Sequence, residues 1–130
     1  MKRVCIIGKG SIGVRHSKIF HKLGLKIYFY RTFKNLKSYE INFKYIEIDK
    51  LKKIKDNFFD LIVVSNPTSL HLRTLKKFHK YSNNFLIEKP LTSNMRETKI
   101  LEKFIFKKNI RIFSGYFLKD YKNILKFKSI

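Results

Sequence analysis

Hydrophobic and polar positions alternate along this chain in two periods, and the switches between them predict its elements. Val4-Cys5-Ile6-Ile7 is a continuous apolar run of strand length. Gly8-Lys9-Gly10-Ser11-Ile12-Gly13 follows at once. The spacing then becomes helical, with Ile12, His16, Ile19, Phe20 and Leu23 three or four apart, until Gly24 closes the segment. Ile27-Tyr28-Phe29-Tyr30 predicts a second strand, rich in β-branched and aromatic residues. Arg31 to Asn42 is polar and mixed, a loop with room for one helical turn. Lys44-Tyr45-Ile46-Glu47-Ile48 predicts a short strand, after which Asp49 is placed to cap a helix with Leu51, Ile54 and Lys55 on its inner face.

The second half repeats the alternation. Leu61-Ile62-Val63-Val64 is apolar throughout, as suits a central strand of a parallel sheet covered on both faces. Asn66-Pro67-Thr68 breaks it, and Leu70 to Tyr81 resumes a helical period through Leu72, Leu75 and Phe78. Phe85-Leu86-Ile87 predicts a strand stopped by Glu88-Lys89-Pro90. Ser93 or Asn94 opens a helix with Glu97 set for a reciprocal cap, and Ile100, Leu101, Phe104 and Ile105 form its apolar face. Ile110-Arg111-Ile112-Phe113 predicts the sixth strand, and Phe117 to Ile130 a last helix. Six strands alternating with helices predict an α/β, doubly wound parallel sheet with right-handed crossovers, in the order 3-2-1-4-5-6.

In that setting the glycine turn acquires a chemistry. A buried strand, a glycine turn and an amphipathic helix form the opening of a dinucleotide-binding βαβ unit. Gly8 permits the tight turn, Gly10 removes a side chain where pyrophosphate must approach the backbone, and Gly13 lets the helix pack on the strand. The amides of Ser11, Ile12 and Gly13 then face the anion, aided by the helix dipole. An acid about 20 residues beyond the glycines would hold the ribose of NAD. Here that region reads Phe29-Tyr30-Arg31-Thr32, and Arg31 with Thr32 suits a 2′-phosphate by charge and hydroxyl. The expectation is NADP or NAD, with NADP favoured; the alternative is that Arg31 is one more surface cation.

Ser65-Asn66-Pro67-Thr68 and Glu88-Lys89-Pro90 fall after the fourth and fifth strands, on the carboxyl rim where ligands of open α/β sheets bind. With these residues the sequence resembles the N-terminal domain of the glucose–fructose oxidoreductase/inositol dehydrogenase (Gfo/Idh/MocA) family. The glycine turn, Asn66-Pro67-Thr68 with His71 beyond it, and Glu88-Lys89-Pro90-Leu91 look like that family's three signatures, in order, over residues 1–116. The resemblance implies that Lys89 is the catalytic residue beside the nicotinamide and substrate hydroxyl. It further implies that Ser65, Asn66, Pro67 and Glu88 line the nicotinamide ribose, and that Lys89–Pro90 is a candidate cis bond. His71 is read as packing or orienting its turn, while His16, His21 and His79 are read as solvated or packed helix residues.

Members of the family continue into an α+β substrate domain with an Asp/His pair. Residues 117–130 look like the crossover toward that domain, with Lys119-Asp120 in place of the usual arginine. The expectation is therefore a truncated or split oxidoreductase that binds NAD(P), acting on a sugar or polyol only if a substrate domain is supplied. A non-catalytic NADP-binding regulatory module is the first alternative, and a basic nucleic-acid-binding protein the second.

Composition bears mainly on that last alternative. The 130 residues carry 30 basic and nine acidic side chains, for a formal charge of +21. Twenty-four of the basic residues are Lys, and Ala and Trp are absent, a bias that reads as AT-rich coding. The lysines are also spread along the whole chain and not gathered into a block, which weakens the nucleic-acid reading. The lone Cys5 lies inside the first strand, so no disulfide framework or metal cluster is expected. No run approaches the ~20 apolar residues of a membrane span, and no signal-peptide core is present, so a cytoplasmic protein is the default.

Overall fold

The computed structural model describes residues 1–33 and 39–115. Strands β1 (Arg3–Ile7), β2 (Lys26–Tyr30), β3 (Ile46–Glu47), β4 (Leu61–Val64), β5 (Asn84–Ile87) and β6 (Arg111–Ser114) form one sheet. Its order is β3-β2-β1-β4-β5-β6, every pairing parallel, as the alternation of periods predicts. Helices α1 (Ser11–Lys22), α2 (His71–Phe78) and α3 (Met95–Lys108) make the crossovers. The expected helix over 117–130 and the crossover segment beyond Gly115 lie outside the described residues.

Alternate residues of the central strands feed two apolar layers. Val4 and Ile6 of β1 join Ile27, Phe29 and Val63 on one face, with Phe20 of α1 packed against them. Cys5 and Ile7 point the other way, into a larger cluster with Ile62, Val64, Phe85, Leu75 and Phe78 of α2, and Leu101 of α3. Cys5 is fully buried, and burial pushes its thiol well above the ordinary range.

Three expectations are corrected. The face that α1 lays on the sheet is Gly13, Val14 and Ser17, whereas Ile12, Ile19 and Leu23 are 43%, 47% and 68% exposed. Small residues let the helix backbone approach the strands closely, and the apolar stripe is turned aside. Second, Asp49 caps no helix. A single 3₁₀ turn, Leu51–Lys53, follows Lys50 without a side-chain cap. Third, β3 shortens to two residues, bonded only beside Tyr28 and Phe29 of β2.

The helix ends carry the expected chemistry. Gly24, at φ +76°, ends α1 by donating to the His21 carbonyl while Leu25 donates to that of Phe20. At α3, Asn94 Oδ1 accepts from the Glu97 backbone N–H at 2.9 Å. The returning bond runs to Ser93, one residue earlier than a reciprocal cap on Asn94 would place it, with its N–H donating to Glu97 Oε2 at 2.9 Å.

Candidate dinucleotide-binding site

The register of the sheet brings the three sequence motifs to one rim. Ile7 of β1 lies beside Val64 of β4, Val64 beside Ile87 of β5, and Ile87 beside Ser114 of β6. The chain therefore leaves neighbouring strands at one level, at Gly8, Ser65 and Glu88. Backbone bonds tie these exits together: Gly8 N–H donates to Tyr30 O, Ser65 N–H to Ile7 O, and Glu88 N–H to Val64 O, at 2.9–3.0 Å.

The three glycines of the turn have different physical reasons. Gly8 sits at φ +102°, and a Cβ there would come within 3.0 Å of the Ser65 and Asn66 backbone. At Gly13 a Cβ would lie 2.0 Å from the Gly8 carbonyl oxygen, a hard clash between helix and turn. At Gly10 nothing lies within 4 Å of the Cβ position. The fold itself therefore does not require glycine at this position. Gly10 is also the N-cap of α1, and no side chain caps the helix or adds an acid to its first turn. The amides of Ser11, Ile12 and Gly13 begin a twelve-residue helix whose last turn holds His21 and Lys22. That arrangement suits an anion at the N-terminus.

Gly8, Lys9, Gly10, Arg31, Thr32, Phe33, Ser65, Asn66 and Pro67 line one cleft at this rim. Arg31 and Thr32, just beyond the end of β2, thus share this cleft with the glycine turn. Lys9 is folded inward with a side chain only 9% exposed; its Nζ donates to Tyr45 Oη at 2.6 Å and lies 4.4 Å above that ring. Glu47 of β3 stands between the two cations, 3.7 Å from Lys9 Nζ and 3.7 Å from Arg31 Nε.

Asn66 is buried. Its Nδ2 donates to Thr74 Oγ1 at 2.8 Å and lies 3.3 Å from Thr32 Oγ1, while Oδ1 is buried without a partner. Turning the amide over would only exchange which of the two atoms is unpaired. His71, fully buried at the start of α2, places Nε2 2.8 Å from the Asn66 carbonyl and Nδ1 3.3 Å from that of Leu91. It thereby joins the turn after β4 to the turn after β5, in an orienting position.

The third motif reaches the first through a contact absent from the sequence reading. His16 Nε2 donates to Glu88 Oε1 at 2.5 Å, with both side chains about four-fifths buried. Lys89 is exposed on the rim, and its bond to Pro90 is cis. Among the described residues, no group of three His, Cys, Asp or Glu could hold a metal ion, and no helix is long and apolar enough to cross a membrane. Lys9, Phe33, Glu47 and His16 are the site residues that periodicity did not reveal. His16, one turn after Gly13, Lys9, inside the turn, and Phe33, next to Thr32, lay close in sequence to the motifs, whereas Glu47 did not.

Comparison with known proteins agrees with this geometry. The model of the Gfo/Idh/MocA group, described as an oxidoreductase family with an NAD-binding Rossmann fold, matches residues 2–116. No curated protein matches the chain. Among solved structures, the WlbA (WbpB) dehydrogenase of Thermus thermophilus, in complex with NAD and α-ketoglutarate, aligns with a TM-score of 0.77 at 18% identity, covering 99% of this chain and 46% of that one. The same enzyme is also known with NAD and UDP-GlcNAcA. The yvaA protein of Bacillus subtilis aligns with a TM-score of 0.76 at 20% identity, covering 98% of this chain and 38% of that one. At such identities the likeness concerns the fold, and the chain spans less than half the length of these neighbours. The matched family model, the 3-2-1-4-5-6 sheet and the glycine turn agree: the chain belongs to the Gfo/Idh/MocA oxidoreductase family, and residues 2–116 form its NAD-binding Rossmann domain.

Proposed function

We propose that this chain binds a nicotinamide dinucleotide along the rim, NADP(H) in preference to NAD(H). It serves as the cofactor-binding domain of a dehydrogenase acting on a sugar or polyol hydroxyl. The observation that carries this reading is the open space at Gly10, beside a helix N-terminus left without a side-chain cap. The pyrophosphate takes that space and accepts from the first amides of α1. Arg31 and Thr32 hold the 2′-phosphate, by charge and by hydroxyl hydrogen bond. Asn66, its amide held by Thr74, lines the same cleft on the side of the nicotinamide ribose. When bound, the nicotinamide ring supplies a hydride acceptor.

Lys89 takes its role from the family resemblance: its ammonium stabilises the alkoxide that develops on the substrate and helps relay the hydroxyl proton. Both ring nitrogens of His71 face backbone carbonyls, so His71 does not serve as a base partner for Lys89. That observation favours a second reading, a module that binds the dinucleotide and turns nothing over by itself.

Calorimetric titration with NADPH and NADH tests the binding. NADPH is expected to bind more tightly; equal affinities would remove the NADP preference, and no binding of either would remove the proposal. Turnover assays on sugar and polyol substrates separate the catalytic reading from the binding-only one.

A further inference from the structure

We infer that Glu47 is the residue that grades the choice between the two dinucleotides in this cleft. The inference rests on the proposed dinucleotide site, and it concerns a residue on the edge strand, away from the end of β2 where ribose recognition usually lies. Parallel pairing of β2 and β3 sets Glu47 beside Phe29, two residues before Arg31. From there its two carboxylate oxygens divide between the cleft's two cations: Oε2 lies 3.7 Å from Lys9 Nζ, and Oε1 lies 3.7 Å from Arg31 Nε. Both cations line the cleft. Glu47 is paired with both of them.

The charge balance follows from these contacts. A 2′-phosphate brings close to two negative charges to Arg31. It must compete there with the Glu47 carboxylate for the same guanidinium, and it is repelled by that carboxylate. A ribose bearing a free 2′-hydroxyl meets no such competition, because it is neutral. Glu47 therefore acts through Arg31 and Lys9 as a counterweight: it lowers affinity for the phosphorylated dinucleotide and leaves the other largely indifferent. The positive field of Arg31 still favours NADP(H), but by a margin that Glu47 keeps small. Lys9 strengthens the device, because its buried side chain and its bond to Tyr45 hold the ammonium near the carboxylate. Partly exposed ion pairs of this kind change an equilibrium by up to about fivefold each.

The test is calorimetric titration of NADPH and NADH into the parent chain, Glu47→Gln, Glu47→Ala, Arg31→Gln and the Glu47→Gln/Arg31→Gln double variant, at two salt concentrations. The ratio of NADPH to NADH affinity should rise in Glu47→Gln, by up to about fivefold. It should rise similarly in Glu47→Ala, and should shrink toward no change when Arg31 is already Gln. The gain should also diminish at high salt. Loss of a merely structural contact would weaken both dinucleotides together. An unchanged or lowered ratio in folded Glu47 variants would overturn the inference, as would an undiminished gain in the Arg31→Gln background. If the parent chain binds neither dinucleotide, the proposed function fails first and this inference with it, a result distinct from an unchanged ratio.

Discussion

His16 Nε2 lies 2.5 Å from Glu88 Oε1, so the first helix is fastened to the rim beyond the fifth strand by one hydrogen bond between residues 72 positions apart. The contact joins the glycine-turn motif to the motif that carries Lys89. Both side chains are largely buried, and removing either leaves the other polar group without its partner. His16→Ala and Glu88→Ala should each lose about 1–3 kcal/mol of stability. The double variant should lose less than the sum of the two, since they act on one interaction. Urea denaturation of the three variants measures this, and strict additivity would show that the pair is not coupled.

The three glycines should respond to substitution in a graded order. Gly13→Ala drives a methyl into the Gly8 carbonyl, which either moves the helix or prevents folding. Gly8→Ala adds both strain at positive φ and a close approach to the turn after β4, a cost of at least 1 kcal/mol. Gly10→Ala meets no atom and should cost at most about 1 kcal/mol, as a helix N-cap change. Thermal melts in one buffer give the order directly.

Helix α3 offers a local check. Asn94→Ala removes the acceptor for the Glu97 amide and should cost about 1 kcal/mol. Asn94→Asp or Asn94→Ser should restore most of it. A loss unaffected by these replacements would place the effect elsewhere than in the cap.

Cys5 gives a chemical readout of the sheet. Its thiol is fully buried in the central strand, and burial favours the neutral form. The native protein at mildly alkaline pH should therefore resist a thiol-specific reagent, and should take up one equivalent after denaturation. Rapid labelling of the native protein would mean that the sheet opens at β1.

Much of this was legible in the residues themselves. Continuous runs such as Leu61 to Val64 and Val4 to Ile7 could be satisfied only by strands covered on both faces, and the intervening helical periods dictated parallel crossovers. The inner face of α1 escaped because two of its three buried residues, Gly13 and Ser17 beside Val14, are too small to carry an apolar signature, while the visible stripe of Ile12, Ile19 and Leu23 is turned outward. Lys44 to Ile48 looked like a fuller strand, yet the strand spans only Ile46 and Glu47, with the Ile48 N–H donating to the Phe29 carbonyl just beyond it. The role of Glu47 depends on the pairing register between β2 and β3, and that of His16 on a partner far along the chain. Neither follows from local spacing.

Stability and ligand binding separate most cleanly at Gly10, where an added Cβ would meet no atom of the protein. The decisive measurement is NADPH titration of the parent chain and of Gly10→Ala, each checked by thermal unfolding. Gly10→Ala should remain folded with nearly parental stability, yet bind NADPH at least about tenfold more weakly, because its methyl projects toward the approaching pyrophosphate. Equal affinity in the two proteins, or no binding by the parent, would mean that this turn is not a dinucleotide site.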